Sequence, residues 1–454
     1  MNRLDSFGLA MPNILLPKSD IDLQKWSVIA CDQHTQDRQY WDKVKYIVGN
    51  SPSTLNLIFP EVFLEDQDSK ERIENIHAVM NNYLEGEIFA PPRRTCLYVE
   101  RSLGEKRRRG LIICIDLEKY DWRRPETAFI RSTEDTVENR LPARMAVRRG
   151  ASLELPHILL LIDDKQDTVL PALESRSKQA PPLYNTPLMV DSGSVAGWAL
   201  DDENFIADVF AGFFEKQIQS DAQAPFLFAV GDGNHSLASA KEVWEEYKQA
   251  YPNEKAPLVR FAMVEIENLY DNGIAFEPIH RIIWKKDRMN RTSANVRPPL
   301  RALVEDMLSP LPLLGIHPLQ SAEELKRLMQ EDSPNNRLGF IGNDGDYLLL
   351  EFENRKLAVA EFQPLLDIFA EKMNYDIDYI HGDEEVCALA KANVDSIGVL
   401  LPPFLKDGLF ETIAKTGSLP RKSFSMGRAE EKRFYLEARE LFRSKGIVNK
   451  MWIT

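Results

Sequence analysis

The stretch Pro225 to Tyr251 constrains the fold more than any other part of the chain. The apolar run PFLFAV leads into Gly231-Asp232-Gly233-Asn234-His235-Ser236, and then into LASAKEVWEEYKQAY. In that last segment Leu237, Ala240, Val243, Trp244 and Tyr247 recur at helical spacing. The pattern predicts a strand, a tight glycine turn and an amphipathic helix. Gly231 and Gly233 admit positive φ and close approach to the backbone, and the helix start offers unpaired N–H groups and the positive end of its dipole. Such a turn suits phosphate or another anion. Asp232 is placed to hold a magnesium ion or take a hydroxyl proton, His235 to donate to a transferring oxygen, and Asn234 and Ser236 to bind oxygen atoms. An ordinary turn fits the same letters, with Ser236 capping the helix and Asp232 accepting local backbone bonds. A dinucleotide fingerprint fits less well. Ser236 stands where the third glycine belongs, and Asp232 would repel a pyrophosphate laid against the turn.

A protein of 454 residues with 44% hydrophobic and 28% charged residues buries a sizeable core, so disorder is excluded as its main state. Its 56 basic against 70 acidic residues give a net charge of −14, which provides no global field for nucleic acid or an anionic membrane. Cys31, Cys96, Cys114 and Cys387 are isolated, which argues against a disulfide framework or a thiolate zinc site and for a reducing compartment. No apolar run approaches the roughly 20 residues that span a bilayer, and the opening MNRLDSFGLAMPNILLP lacks the features of a signal peptide. A cytoplasmic, enzyme-sized protein is the expectation, its oligomeric state open with a homodimer as one option.

Other segments supply candidate partners for the turn. WSVIAC, residues 26 to 31, is a short buried strand ending at Asp32-Gln33-His34. LIICIDL follows the basic run Lys106 to Arg109, and the apolar run from His157 to Ile162 ends in Asp163-Asp164. Between Arg131 and Arg140 lie three acids, two arginines and three hydroxyls, including Glu134; this is either a polar-ligand site or a helix start near Thr133 with its usual acidic first turn. His280-Arg281 interrupts an apolar run, either as a buried histidine satisfied by backbone or as an anion-binding pair. LPRKSFSMGR, with Lys422 and Ser423, gathers three cations that either reach a phosphate or form a basic surface loop. The polar stretch Lys285 to Pro299 reads as a linker, and RLGFIG and YLLLEFE read as the arms of a hairpin. No Walker, kinase HRD/DFG, HExxH or GxSxG motif is present.

Taken together, the segments ACDQ, STLNLIFPE, RRGLIICID, Thr133 to Arg140, LPHILLLID, Gly231 to Ala240, PIHR and Leu419 to Ser423 resemble domain-of-unknown-function family 1015 over nearly the whole chain. That family resembles the ParB/sulfiredoxin superfamily through a D-G-x-H motif. Many relatives carry D-G-H-H-R-Y at the turn, whereas this chain has Asp232-Gly233-Asn234-His235-Ser236-Leu237, so the arginine that would meet phosphate is replaced.

The resemblance implies a mixed α/β fold, with a ParB/sulfiredoxin-like core and added helical and hairpin elements. The layout expected is a core at 1–290 with the phosphate-binding turn, a linker and hairpin at 291–360, and an α/β segment at 361–454 that completes the site. The implied activity is phosphorylation of free L-serine to O-phosphoserine, with magnesium and with pyrophosphate or ATP/ADP as co-substrate. Asp232, His235 and Glu134 are the expected catalytic groups. Gly231, Gly233, Asn234, Ser236, Arg131, Arg140, His280, Arg281, Lys422, Ser423 and Asp32 are the expected phosphate- or substrate-binding groups. A phosphoserine hydrolase using the same site, or a noncatalytic nucleotide or phosphometabolite sensor, are the alternatives.

Overall fold

The computed structural model describes residues 3–220, 225–254, 257–286, 299–342, 345–392 and 396–442. Most of the expected linker between Lys285 and Pro299 lies outside the described residues, as do Asn343 and Asp344 at the tip of the hairpin. The chain is mixed α/β, as expected, and divides into two compact units. The first comprises residues 1–274, 408–418 and 427–454, and the second comprises residues 275–407 and 419–426.

In the first unit, the described residues place nine strands in one sheet. Eight of them are β1 (Cys96–Leu103), β2 (Lys106–Asp116), β3 (Ile130–Ser132), β4 (Leu159–Ile162), β5 (Tyr184–Pro187), β6 (Ser194–Leu200), β7 (Phe228–Asp232) and β8 (Phe261–Asn268). They run in the order β5-β6-β1-β2-β8-β4-β7-β3, and Leu9–Ala10 adds to β2. β1 and β2 form an antiparallel hairpin, whereas β7 runs parallel to β3 and antiparallel to β4. The apolar runs identified in sequence become the middle of this sheet. Leu111–Ile115 and Leu159–Ile162 are buried on both faces, which explains why neither run alternates with polar residues. The basic run Lys106–Arg109 belongs to β2 itself, opposite Glu100–Leu103, and this carries Arg108 into the interior.

Two helices of this unit bear on the site, α1 (Leu141–Arg148) and α2 (Asn234–Ala250), and they pack on each other. The apolar positions of α2 expected to face inward, Leu237, Ala240, Val243, Trp244 and Tyr247, are all buried. Three local expectations are corrected. Of WSVIAC only Val28–Ile29 is a strand; Leu23–Trp26 is a helical turn because the Asp22 carboxylate accepts from Gln24 and Lys25 and starts it. Thr133 does not open a helix, since its hydroxyl donates to the Val230 carbonyl and ties the end of β3 to β7. Ser236 does not cap α2, because Gly233 is the capping residue and Ser236 already lies in the first turn.

The last described segment returns to this unit. Phe434–Tyr435 pairs with Val28–Ile29, and Arg439–Glu440 pairs with Leu153–Glu154. Beneath it lies a buried ionic network. Arg433 donates to Glu265, Glu437 and the Pro156 carbonyl, Arg101 to both Glu265 and Glu267, and Arg108 to Glu267 and the Glu431 carbonyl. Arg433, Glu265, Glu267 and Glu437 are all buried. Burial alone would raise the Glu265 carboxyl, but the Arg101 and Arg433 guanidiniums overcome it and hold it at about 2.

A carboxyl depressed in this way adds stability that is fully present above its unfolded value of about 4.3 and is lost as pH falls toward the folded value. Urea midpoints followed by tryptophan fluorescence are therefore expected to drop between pH 4.5 and pH 2. A flat profile across that window would contradict the assignment.

In the second unit, β9 (Phe276–Lys285), β10 (Leu313–Leu319), β11 (Asn336–Gly342), β12 (Tyr347–Phe352), β13 (Tyr375–His381) and β14 (Ser396–Leu400) run in the order β10-β12-β11-β14-β9-β13. The expected hairpin is present as β11 and β12, in antiparallel register from Asn336 opposite Phe352 to Ile341 opposite Tyr347. Phe424–Met426 pairs with the start of β9. Helices α3 (Leu300–Leu308) and α4 (Ala358–Met373) line one apolar core of this sheet, with Phe340, Phe352 and Phe362 fully buried.

Candidate functional site

The glycine turn stands at the end of β7, where the strand gives way to α2. Gly233 sits at φ +80°, and a Cβ there would lie 3.1 Å from the Ile158 Cα, so both conformation and space call for glycine. No side chain caps α2 at Gly233. Glycine has no side chain to cap this 17-residue helix, so its first N–H groups depend on other partners.

Asp232 is fixed on both oxygens. Oδ1 accepts from the Gly233 N–H at 2.9 Å and Oδ2 from the Lys432 ammonium at 2.8 Å. Burial opposes the carboxylate's charge, but Lys432 and the turn N–H outweigh it and keep Asp232 below the usual carboxylate range. Lys432 is only 9% exposed at its side chain and Asp232 25%, so the pair is poorly screened by water.

Asn234 and His235 fasten the neighbouring loop. The Asn234 amide donates to the Glu134 carbonyl at 3.1 Å, and the Val137 N–H donates to His235 Nε2 at 3.2 Å. With the bond from Thr133 to Val230, these hold residues 133–137 against the turn. Ser236 meets His157, whose Nε2 lies 2.8 Å from the serine hydroxyl and 3.9 Å from Asp32 Oδ2. The structure therefore brings Asp32, Glu134 and the whole turn from Gly231 to Ser236 into one neighbourhood.

Other expected residues have different surroundings. Arg131 is buried, stacks its guanidinium on Phe226 at 4.8 Å and donates to the Ala128 and Glu126 carbonyls. Arg140 is exposed at the start of α1, and its carbonyl accepts from Arg144. His280, Arg281, Lys422 and Ser423 belong to the second unit. There, His280 accepts from the Leu401 N–H at Nδ1 and meets Asp383 at Nε2, 2.7 Å away. Arg281 is fully buried, donates to Gln363 and lies over the Tyr379 ring. Lys422 is exposed at φ +59°, and the buried Ser423 donates to the Pro420 carbonyl.

Lys432, His157 and Tyr435 are neighbours of the turn that the sequence reading did not single out as site residues. His157 heads an apolar run much as Asp32 ends one, and that was its visible signal. Lys432 lies in the ordinary charged run RAEEKR, 200 residues from its partner, and nothing local marks it. Among the described residues no group of three or more His, Cys, Asp or Glu side chains is arranged to hold a metal. With both Asp232 oxygens already engaged, these residues do not fit a magnesium ion caged by the protein. No helix among the described residues is long and apolar enough to cross a membrane.

Residues 15–369 match the family model described as "Protein of unknown function (DUF1015)". No curated protein matches the chain. Among solved structures, a conserved hypothetical protein from Pyrococcus furiosus is 10% identical, with 72% of this chain and 90% of that one covered at a TM-score of 0.34. A free serine kinase in complex with AMP is 11% identical, with 73% and 91% covered at 0.34. SbnI with C-terminal truncation, from Staphylococcus aureus, is 9% identical, with 70% and 82% covered at 0.33.

Proposed function

The chain belongs to the DUF1015 family, and from that premise we propose that it is a phosphotransferase that phosphorylates free L-serine, with pyrophosphate or a nucleotide as donor. The observation that carries this reading is the start of α2: a left-handed glycine cap with no side chain of its own, beside the Asp232–Lys432 ion pair. Backbone N–H groups and a fixed cation are what a transferring phosphoryl group requires, since its charge spreads over oxygens that must be met in place. Lys432 supplies the positive charge that the family's turn arginine would bring and that Ser236 cannot.

In this reading Asp232, held ionised by Lys432, orients the serine hydroxyl toward the donor. Glu134 stands on the loop that Asn234 and His235 pin to the turn, and is the second candidate for that role. Magnesium enters as the complex of the donor's phosphates, because the described residues offer it no cage.

The test is to incubate the purified chain with L-serine, magnesium and either pyrophosphate, ATP or ADP, and to follow O-phosphoserine by mass spectrometry. Phosphoserine from one donor supports the reading. Binding of those donors without turnover would favour a sensor, and phosphate release from added phosphoserine would favour a hydrolase.

A further inference from the structure

We infer that Ser236 is a histidine-activated nucleophile that opens small carboxylic esters, with His157 as its base and the adjoining apolar cavity as the seat of the acyl group. This is independent of the phosphotransferase reading.

The argument begins with the proton count around Tyr435. Its oxygen accepts from the Cys31 N–H at 3.2 Å, and its own hydroxyl proton goes to Cys31 Sγ, also at 3.2 Å. His157 Nδ1 lies 3.0 Å from the same oxygen. When the phenol's one proton lies on the sulfur, Nδ1 is the donor to the phenol oxygen. In that arrangement, the one the proposal takes, Nδ1 carries hydrogen and Nε2 carries a lone pair. That lone pair faces the Ser236 hydroxyl at 2.8 Å, so the serine donates to the histidine. Nucleophile, base and a third group that orients the base are all in place, with Tyr435 in the orienting position. Asp32 stands 3.9 Å from Nε2, near enough to steady the imidazolium formed once the proton moves.

The cavity completes the case. It has a volume of about 130 Å³ and is lined by Ser236, His157 and Tyr435, with Phe59, Met80 and Leu153 among its apolar walls. At 10–15 Å³ per water position, that is on the order of ten such positions, room for a short acyl chain. Its charged lining residues are paired with each other, Arg144 with Glu61 and Arg148 with Glu154, so the cavity favours a neutral ester over a charged phosphate. The steps balance with water as the only co-reactant. Ser236 Oγ bonds to the ester carbonyl carbon and its proton passes to His157 Nε2. The carbon–oxygen bond to the alcohol breaks, and the alcohol leaves with that proton. Water then attacks the acyl-serine by the same route and releases the acid.

The test uses the full chain with diisopropyl fluorophosphate, the adduct mapped by peptide mass spectrometry, and hydrolysis of p-nitrophenyl acetate and butyrate. The expected result is an adduct on Ser236 that disappears in Ser236→Ala, together with ester turnover that falls in the same variant. Labelling is expected to slow by roughly 10²-fold or more in His157→Gln. Should His157→Gln fail to fold by circular dichroism, Tyr435→Phe serves instead, because it frees the imidazole to rotate and is expected to slow labelling while serine remains. An unlabelled Ser236 in the native chain would overturn the inference, as would undiminished labelling in a folded His157→Gln or Tyr435→Phe. Labelling without ester turnover would overturn the acyl assignment.

Discussion

Replacing Asp232 with asparagine is expected to lower phosphoserine formation by roughly 10²- to 10⁴-fold, the range for loss of a group that positions or accepts a proton. The substitution also leaves Lys432 poorly exposed and without its carboxylate, so part of any loss could come from a weakened fold. The double variant Asp232→Asn with Lys432→Met separates the two effects. It removes the stranded charge, so its urea midpoint is expected to recover toward that of the native chain while turnover stays low. Lys432→Met alone is expected to raise the apparent KM for the phosphate donor and lower kcat together, since a cation meets phosphate charge in the ground state and the transition state alike. Near-native turnover in both Asp232→Asn and Glu134→Gln would remove the acid from the mechanism.

The second large effect concerns Arg433. Its fork joins Glu265 and Glu437 and also holds the Pro156 carbonyl, all in the interior. Arg433→Met is expected to destabilise the first unit by about 3–5 kcal/mol, because two carboxylates lose a counter-charge that water cannot replace. The loss should exceed what the hydrogen bonds alone are worth, about 1.5–3 kcal/mol for each bond to a charged group, because unpaired buried charge is the greater penalty. Adding Glu437→Gln to Arg433→Met should restore part of the stability. Equilibrium urea unfolding of the three proteins measures both effects, and an Arg433→Met chain within 1 kcal/mol of native would show the network to be energetically idle.

The parts of this molecule legible in sequence were those governed by short-range pattern. The strand, glycine turn and helix from Phe228 to Ala250 follow from apolar spacing and from the one position where φ is positive. The hairpin of Asn336–Gly342 and Tyr347–Phe352 follows from two apolar arms around a polar turn. Where reading failed, competition between local signals was the reason. Thr133 with its acidic neighbours looked like a helix start, but a hydroxyl bond to Val230 was the stronger claim on that side chain. Arg131 looked like an anion ligand, but Phe226 and two carbonyls already use its guanidinium.

Lys432 and Tyr435 were illegible for a different cause. A lysine in a charged run and a tyrosine in an apolar one are unremarkable until the chain returns to Asp232 and Cys31, and no periodicity encodes that return. The family match, which ends at residue 369, covers neither of them.

The return of Phe434–Tyr435 to Val28–Ile29 has a consequence for biosynthesis. A ribosome delivers residues from the amino end first, so the sheet strands, the glycine turn and Glu265 are all outside the exit tunnel before Lys432, Arg433 and Tyr435 are made. Until then Asp232 lacks its ammonium, Glu265 lacks one of its two guanidiniums and His157 lacks its phenol. A nascent or prematurely ended chain therefore holds a turn without its cation and a serine whose base is unoriented. In the proposed reading, chemistry at this turn therefore awaits the emergence and docking of residues 432–435.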